Sequence, residues 1–121
     1  MIGYVTLGTN DLARAAAFYD ELLGTVGAKR NWESEGGIGW ANRTGITLAA
    51  MKPYNGEPAT VGNGVMVALS FKSKEEVDAF HAKAISLGAK DEGAAGPRGT
   101  GFYAGYFRDL DGNKLCGFFM G

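Results

Sequence analysis

A short internal repeat limits what this chain can fold into more than any other feature of it. Gly27-Ala28-Lys29 and Gly88-Ala89-Lys90 stand 61 residues apart, and each closes an apolar stripe at helical spacing. At the same offset Tyr19 falls on Phe80, Leu23 on Ala84 and Val26 on Leu87. Cap chemistry precedes each stripe: Thr9-Asn10-Asp11 before the first, and the capping box Ser73-Lys74-Glu75-Glu76 before the second. Matching element order at a fixed offset predicts duplication of one supersecondary unit.

The rest of the pattern fills in that unit. Residues 1–8 alternate as a strand, with Val5 and Leu7 on one face and Tyr4 and Thr6 on the other. Leu12, Ala15, Ala16, Tyr19, Leu22, Leu23 and Val26 form a helical stripe with Gly27 as its C-cap. Residues 29–51 break into short segments at Gly36-Gly37, Asn42 and Gly45, which predicts a small antiparallel meander. Pro, Asn and Gly crowd residues 53–64, marking a loop. Val65, Val67, Leu69 and Phe71 alternate as a strand, and Val77, Phe80, Ala84 and Leu87 make the second helix, capped by Gly88. Residues 93–101, with Pro97 and four glycines, read as another loop. Two aromatic-rich strands, 102–108 and 114–120, then flank Asp109-Leu110-Asp111-Gly112-Asn113, a hairpin signal. The expected class is α+β, with two βαβββ modules in a single domain over 1–121. The first module occupies about 1–55, a linker about 53–62 and the second module about 63–121.

Composition narrows the function. Twelve Lys and Arg against 13 Asp and Glu leave a net charge of -1, which gives no long-range pull toward nucleic acid or an anionic membrane. No apolar run approaches the length needed to cross a bilayer, and no basic n-region with an apolar h-region opens the chain. The single cysteine and single histidine exclude a disulfide framework and the usual His/Cys zinc constellations, and a reducing, cytoplasmic setting is expected. Glycine is the one unusual residue, 20 of 121, which predicts many turns and close backbone approaches. The glycines of 93–99 lack the Lys-Ser/Thr end of a P-loop, and there is no Gly-x-Ser-x-Gly elbow.

Three stretches resemble the vicinal oxygen chelate superfamily of glyoxalase I, bleomycin-resistance proteins and extradiol dioxygenases. They are the run from Tyr4 through Asp11-Leu12 to Phe18-Tyr19, the strand at 65–70 with the helix ending Leu87-Gly88-Ala89, and Tyr106-Phe107-Arg108-Asp109-Leu110-Asp111-Gly112-Asn113-Lys114. The resemblance implies a paired-module fold, homodimerisation and a divalent metal held by one His on the first strand of each half and a carboxylate on the last. Those positions fall here on Tyr4, Met66 and Cys116, and the first half's last strand, 46–51, has no His, Asp or Glu. Tyr, Met and Cys suit a hard ion poorly, so no divalent metal or other cofactor is expected.

The ligand positions instead imply an aromatic cavity for a small organic molecule, with Tyr4, Met66, Cys116, Tyr54, Arg98, Tyr103 and Tyr106 as its candidate lining. Arg98 in particular is placed to pair with a carboxylate or phosphate. His81, beside Val77, Phe80 and Ala84, reads as a partly covered helix residue and Cys116 as a small hydrophobe. Three readings follow: a metal-independent small-molecule binder, a lyase or isomerase of the glyoxalase type, and a structural or partner-binding homodimer with a vestigial pocket.

Overall fold

The computed structural model describes all residues from Met1 to Gly121. Two compact units divide the chain, Met1–Val61 and Gly62–Gly121, and the division falls inside the stretch 53–62. Both are built in the same order. The first runs β1 (Tyr4–Gly8), α1 (Leu12–Gly24), β2 (Lys29–Glu33), β3 (Gly37–Ala41) and β4 (Thr47–Met51). The second runs β5 (Val67–Ser70), α2 (Lys74–Ser86), β6 (Lys90–Pro97), β7 (Phe102–Arg108) and β8 (Lys114–Met120). Each closes a four-stranded mixed sheet, ordered β1-β4-β3-β2 and β5-β8-β7-β6. In both sheets the strand before the helix pairs parallel with the last strand, and the other pairings are antiparallel. This is the duplicated βαβββ architecture.

The repeated triplet has a structural cause. Gly27 and Gly88 adopt φ of 76° and 100°, the left-handed region that glycine enters without strain. Each then lets the next residue's N–H reach back five residues: Ala28 to the Leu23 carbonyl at 3.0 Å and Ala89 to the Ala84 carbonyl at 3.1 Å. The two alanines are buried, and the two lysines begin β2 and β6. The helix starts differ in detail. Asp11 accepts the Arg14 N–H at 3.0 Å, and Ser73 accepts that of Glu76 at 3.1 Å. Glu76 reaches back to the Lys72 N–H at 2.9 Å, one residue before the cap.

In the first unit Ala15, Ala16, Phe18, Tyr19, Leu22 and Leu23 of α1 are buried, as are Leu7, Ile38, Trp40 and Ala50 of the sheet. Phe18 lies outside the expected stripe and is buried nonetheless, its ring edge-on to Tyr19 at 5.0 Å. Asp20 ties helix to sheet, accepting from Trp40 Nε1 at 2.8 Å and from Arg30 Nε and Nη2 at 2.9 and 2.7 Å. In the second unit Val77, Phe80, His81 and Ala84 pack against Phe107, Leu115 and two sheet glycines. A Cβ at Gly117 would come within 2.9 Å of the Phe80 ring, so the bare backbone there is what lets the helix approach.

One element departs from expectation. Residues 93–101, expected as a loop, are crossed by β6, which continues to Pro97 and breaks register twice, between Asp91 and Gly93 and between Gly93 and Gly96. β6 is an edge strand, where a proline leaves no ladder bond unmade and bulges take glycine. β1 and β5 also begin later than the alternation, at Tyr4 and Val67.

The Asp109–Asn113 hairpin forms as expected. Gly112 turns at φ 90°, and its N–H meets the Asp109 carbonyl at 3.0 Å. The buried Asp109 carboxylate accepts the N–H groups of Asp111 and Asn113 at 2.9 Å and Asn113 Nδ2 at 3.0 Å. Asp109→Ala leaves those donors without an acceptor, and the expected loss is about 1–3 kcal/mol by urea unfolding. Asp109→Asn, which keeps one acceptor oxygen, is expected to lose less; equal losses would show that the carboxylate is not what closes the turn.

Candidate functional site

Strand alternation and register decide which side chains share a face. Across β7 and β8, Phe102 stands opposite Met120, Ala104 opposite Phe118, Tyr106 opposite Cys116 and Arg108 opposite Lys114. β5 extends this face with Ala68 beside Cys116 and Ser70 beside Phe118. The other face carries Gly105, Phe107, Leu115 and Gly117, and receives α2: Phe80 lies 5.7 Å from Phe107, and the His81 ring rests on Gly105. The second unit's only helix therefore covers one side of its sheet and leaves the Tyr106 side open.

On that open side aromatic and cationic groups converge. Phe102 and Phe118 stack at 5.6 Å. Tyr106 lies beneath two cations, with Arg98 Cζ 5.4 Å and Lys114 Nζ 5.5 Å from its ring centre. Arg98 curls back over β6. Its Nη2 donates to the Ala94 carbonyl at 2.7 Å, and its Nη1 to those of Gly96 at 3.0 Å and Pro97 at 3.3 Å. Glycines make room for it: a Cβ at Gly93 would lie 3.2 Å from both Arg98 Nη2 and Tyr106 Cδ2, and one at Gly96 3.4 Å from Arg98 Nη1. Glu92, at the first bulge, accepts from Arg108 Nε at 3.0 Å and pairs with Lys114 Nζ at 3.8 Å.

Cys116 lies below this surface, 1% exposed. Burial pushes its thiol pKa up, while a hydrogen bond with Tyr106 and the charges of Arg98 and Lys114 pull the other way. The net shift is upward, so the thiol stays protonated and behaves as a small apolar group. Behind the face, His81 Nε2 lies 3.1 Å from Asp91 Oδ1 and 3.2 Å from the Tyr106 carbonyl. Both partners accept, so Nε2 carries the proton and donates. His81 is thus a buried, bonded residue of the helix–sheet seam.

Of the seven residues expected at the site, Arg98, Tyr106 and Cys116 come together. Met66 precedes β5 and is exposed. Tyr103 belongs to the opposite face, where its hydroxyl donates to Asp78 Oδ1 at 2.6 Å and Lys74 Nζ lies 5.7 Å from its ring. Asp78 raises the Tyr103 pKa. A cavity of about 120 Å³ opens beside it, between Lys74, Phe102 and Phe119. Tyr4 stands on the exposed face of the first sheet opposite Thr47, and Tyr54 is fully exposed in the loop after β4. Lys114, Glu92, Phe102 and Phe118 were not expected in the lining. The alternation of Lys114, Cys116 and Phe118 along one strand already places two of these side chains beside Cys116.

Comparison with known proteins places the chain. Residues 1–116 match the glyoxalase/bleomycin resistance protein/dioxygenase superfamily. A glyoxalase/bleomycin resistance protein from Albidiferax ferrireducens T118 is 37% identical, covers 100% of this chain and 99% of its own, and superposes with a TM-score of 0.90. A glyoxalase-related enzyme from Fulvimarina pelagi (24% identity, 98% and 87% coverage, TM-score 0.79) has the same fold. So does the fosfomycin resistance protein FosX of Listeria monocytogenes (20% identity, 100% and 93% coverage, TM-score 0.77). No curated protein matches the sequence. With the family matched over nearly its whole length and a solved relative at 37% identity end to end, this chain belongs to the glyoxalase/bleomycin resistance protein/dioxygenase superfamily.

Proposed function

We propose that the chain binds a small organic molecule on the open aromatic face of its second sheet, without a resident divalent metal, as a cytoplasmic homodimer. The observation that carries this reading is Tyr106 held beneath Arg98 and Lys114, beside the Phe102–Phe118 stack, on a face its own helix does not cover. Small-molecule sites combine an apolar, aromatic lining with a few placed polar groups, and this surface has both. Members of the family commonly dimerise and bind small molecules. A partner chain has surface to cover here: each sheet ends in an edge strand, β1 or β5, and Tyr4, Trp32, Met66 and Met120 are exposed apolar groups. No helix of the chain is long and apolar enough to cross a membrane.

Donor chemistry supports the metal-free reading. The positions that the family resemblance assigns to ligands hold a phenol, a thioether and a buried thiol whose pKa is raised. No three His, Cys, Asp or Glu side chains gather anywhere in the chain as a group that could hold an ion. Hard divalent ions take carboxylate, carbonyl and imidazole ligands. Native mass spectrometry of the purified protein is the test. The expected spectrum is a dimer that releases a small organic molecule on activation and carries no stoichiometric metal. A bare monomer, one metal ion per chain, or Ni²⁺- or Zn²⁺-dependent turnover of a glutathione hemithioacetal would overturn it.

A further inference from the structure

We infer that the ligand of this face is an anion: a small molecule with a carboxylate or phosphonate-type group on a flat apolar body, the anionic group held by Arg98 and Lys114. The inference rests on the binding reading above and adds its chemical class.

Charge balance is the first observation. The chain as a whole has a net charge of -1. Around Tyr106, however, three cations, Arg98, Arg108 and Lys114, meet one carboxylate, Glu92. Arg108 takes Glu92 closely, at 3.0 Å, and Lys114 stands off at 3.8 Å. The neighbouring acids are turned elsewhere. Asp91 binds His81 and the Gly93 N–H on the helix side, and the Asp109 carboxylate is engaged within its own hairpin. Two positive charges are thus left over on a surface with an aromatic floor.

Arg98 is the second observation. A guanidinium has five N–H donors. The Ala94, Gly96 and Pro97 carbonyls take three of them, both from Nη1 and one from Nη2, and no carboxylate of the protein neutralises the charge. That leaves Nε–H and one Nη2–H for another acceptor. Such a pair offers a bidentate fork to a carboxylate or a tetrahedral oxyanion. The fork is held in advance: carbonyls pin one edge, Cζ lies 5.4 Å from the centre of the Tyr106 ring, and Gly93 and Gly96 clear the space around it. Holding a rotamer-rich side chain before binding removes ordering that would otherwise weaken the complex. A simple structural staple across the β6 bulges would need the carbonyl bonds alone, without a second cation over the same ring.

The test is a ¹H–¹⁵N NMR titration of the full chain with three probes of one shape: benzoate, phenylphosphonate and neutral benzamide. Benzoate and phenylphosphonate are expected to shift the amides of Gly93, Gly96, Arg98, Tyr106 and Cys116 saturably, with benzamide at least about tenfold weaker. The tighter anion names the group. Arg98→Gln is expected to weaken both anions by about 10–100-fold and benzamide by far less, so that the preference for anions collapses, whereas Arg98→Lys retains part of it. Lys114→Met, which leaves the β6 carbonyl bonds intact, is expected to weaken the anions severalfold and serves if Arg98→Gln does not fold. Benzamide binding as tightly as benzoate at these residues would overturn the anionic class and leave the binding reading standing. An anion preference that survives both variants would overturn it in the same way. Failure of all three probes to shift this face would count against both.

Discussion

Phe107→Ala is expected to destabilise the second unit by about 3–5 kcal/mol, among the largest losses any single substitution in this chain will produce. Phe107 has no exposed surface, and its ring meets Phe80 at 5.7 Å and the His81 ring at 6.3 Å. It fills the seam where α2 lies on β7. That seam cannot collapse easily. Gly105 and Gly117 already bring the helix to the sheet backbone, and the His81 ring is held by Asp91 and the Tyr106 carbonyl. A cavity that cannot relax gives the upper part of the range. Phe107→Leu, which refills most of the volume, is expected to lose less than half as much. Urea unfolding by circular dichroism measures both. A loss below about 1 kcal/mol for the alanine variant would show that the seam closes over the missing ring. The substitution lies next to the Tyr106 face as well, because Tyr106 precedes Phe107 on β7 and points the other way.

How legible the fold was depended on whether a residue pattern had one physical meaning. The Gly-Ala-Lys repeat did: glycine turns left-handed, alanine fits beneath the helix end and lysine starts the next strand, twice. The hairpin at Asp109–Asn113 did too, because its carboxylate and Gly112 serve one turn geometry. β6 did not. Gly93, Gly96 and Pro97 punctuate loops in most sequences, and only the position of this strand at a sheet edge lets it keep them. Phe18 was missed for another reason. A stripe drawn at helical spacing is narrower than the face that α1 buries, and the Phe18 ring reaches the core around the edge of Tyr19.

The site was legible only in part, because alternation fixes faces and nothing local fixes which residues converge. Tyr103 and Tyr106 were expected together, yet an odd separation on one strand sends them to opposite sides. Arg98 is marked as a candidate by its residue type and its glycine-rich setting. Its hold on the Ala94, Gly96 and Pro97 carbonyls depends on β6 bulges that the pattern did not reveal. The glycine excess, first a sign of turns, proves at Gly93 and Gly96 to be the bed of a cation and at Gly105 and Gly117 the bed of a helix. These are two uses, at four positions, of one property, the absence of a Cβ.

Trp40→Ala is expected to cost the first unit a similar 3–5 kcal/mol, and comparison with Trp40→Phe separates two contributions. Trp40 is 2% exposed, with the Tyr19 ring 5.5 Å away and its Nε1 donating to Asp20 Oδ1 at 2.8 Å. Alanine removes ring and donor together. Phenylalanine keeps most of the ring and deletes the donor, so its loss is expected near 1–2 kcal/mol. In the wild type the Arg30 hydrogen bond, and less strongly that of Trp40, holds the Asp20 pKa below the ordinary value. Arg30 stays in either variant and keeps the group a carboxylate at neutral pH. A lowered folded pKa makes the contribution of Asp20 present above the unfolded value, about 3.9, and lost as pH falls through the folded one. The gap between wild type and Trp40→Phe, read by urea unfolding, should therefore be full at pH 7 and narrow below about pH 4, where the protonated carboxyl is the weaker acceptor. A gap unchanged down to pH 2 would assign the whole difference to packing and none to the Trp40–Asp20 bond.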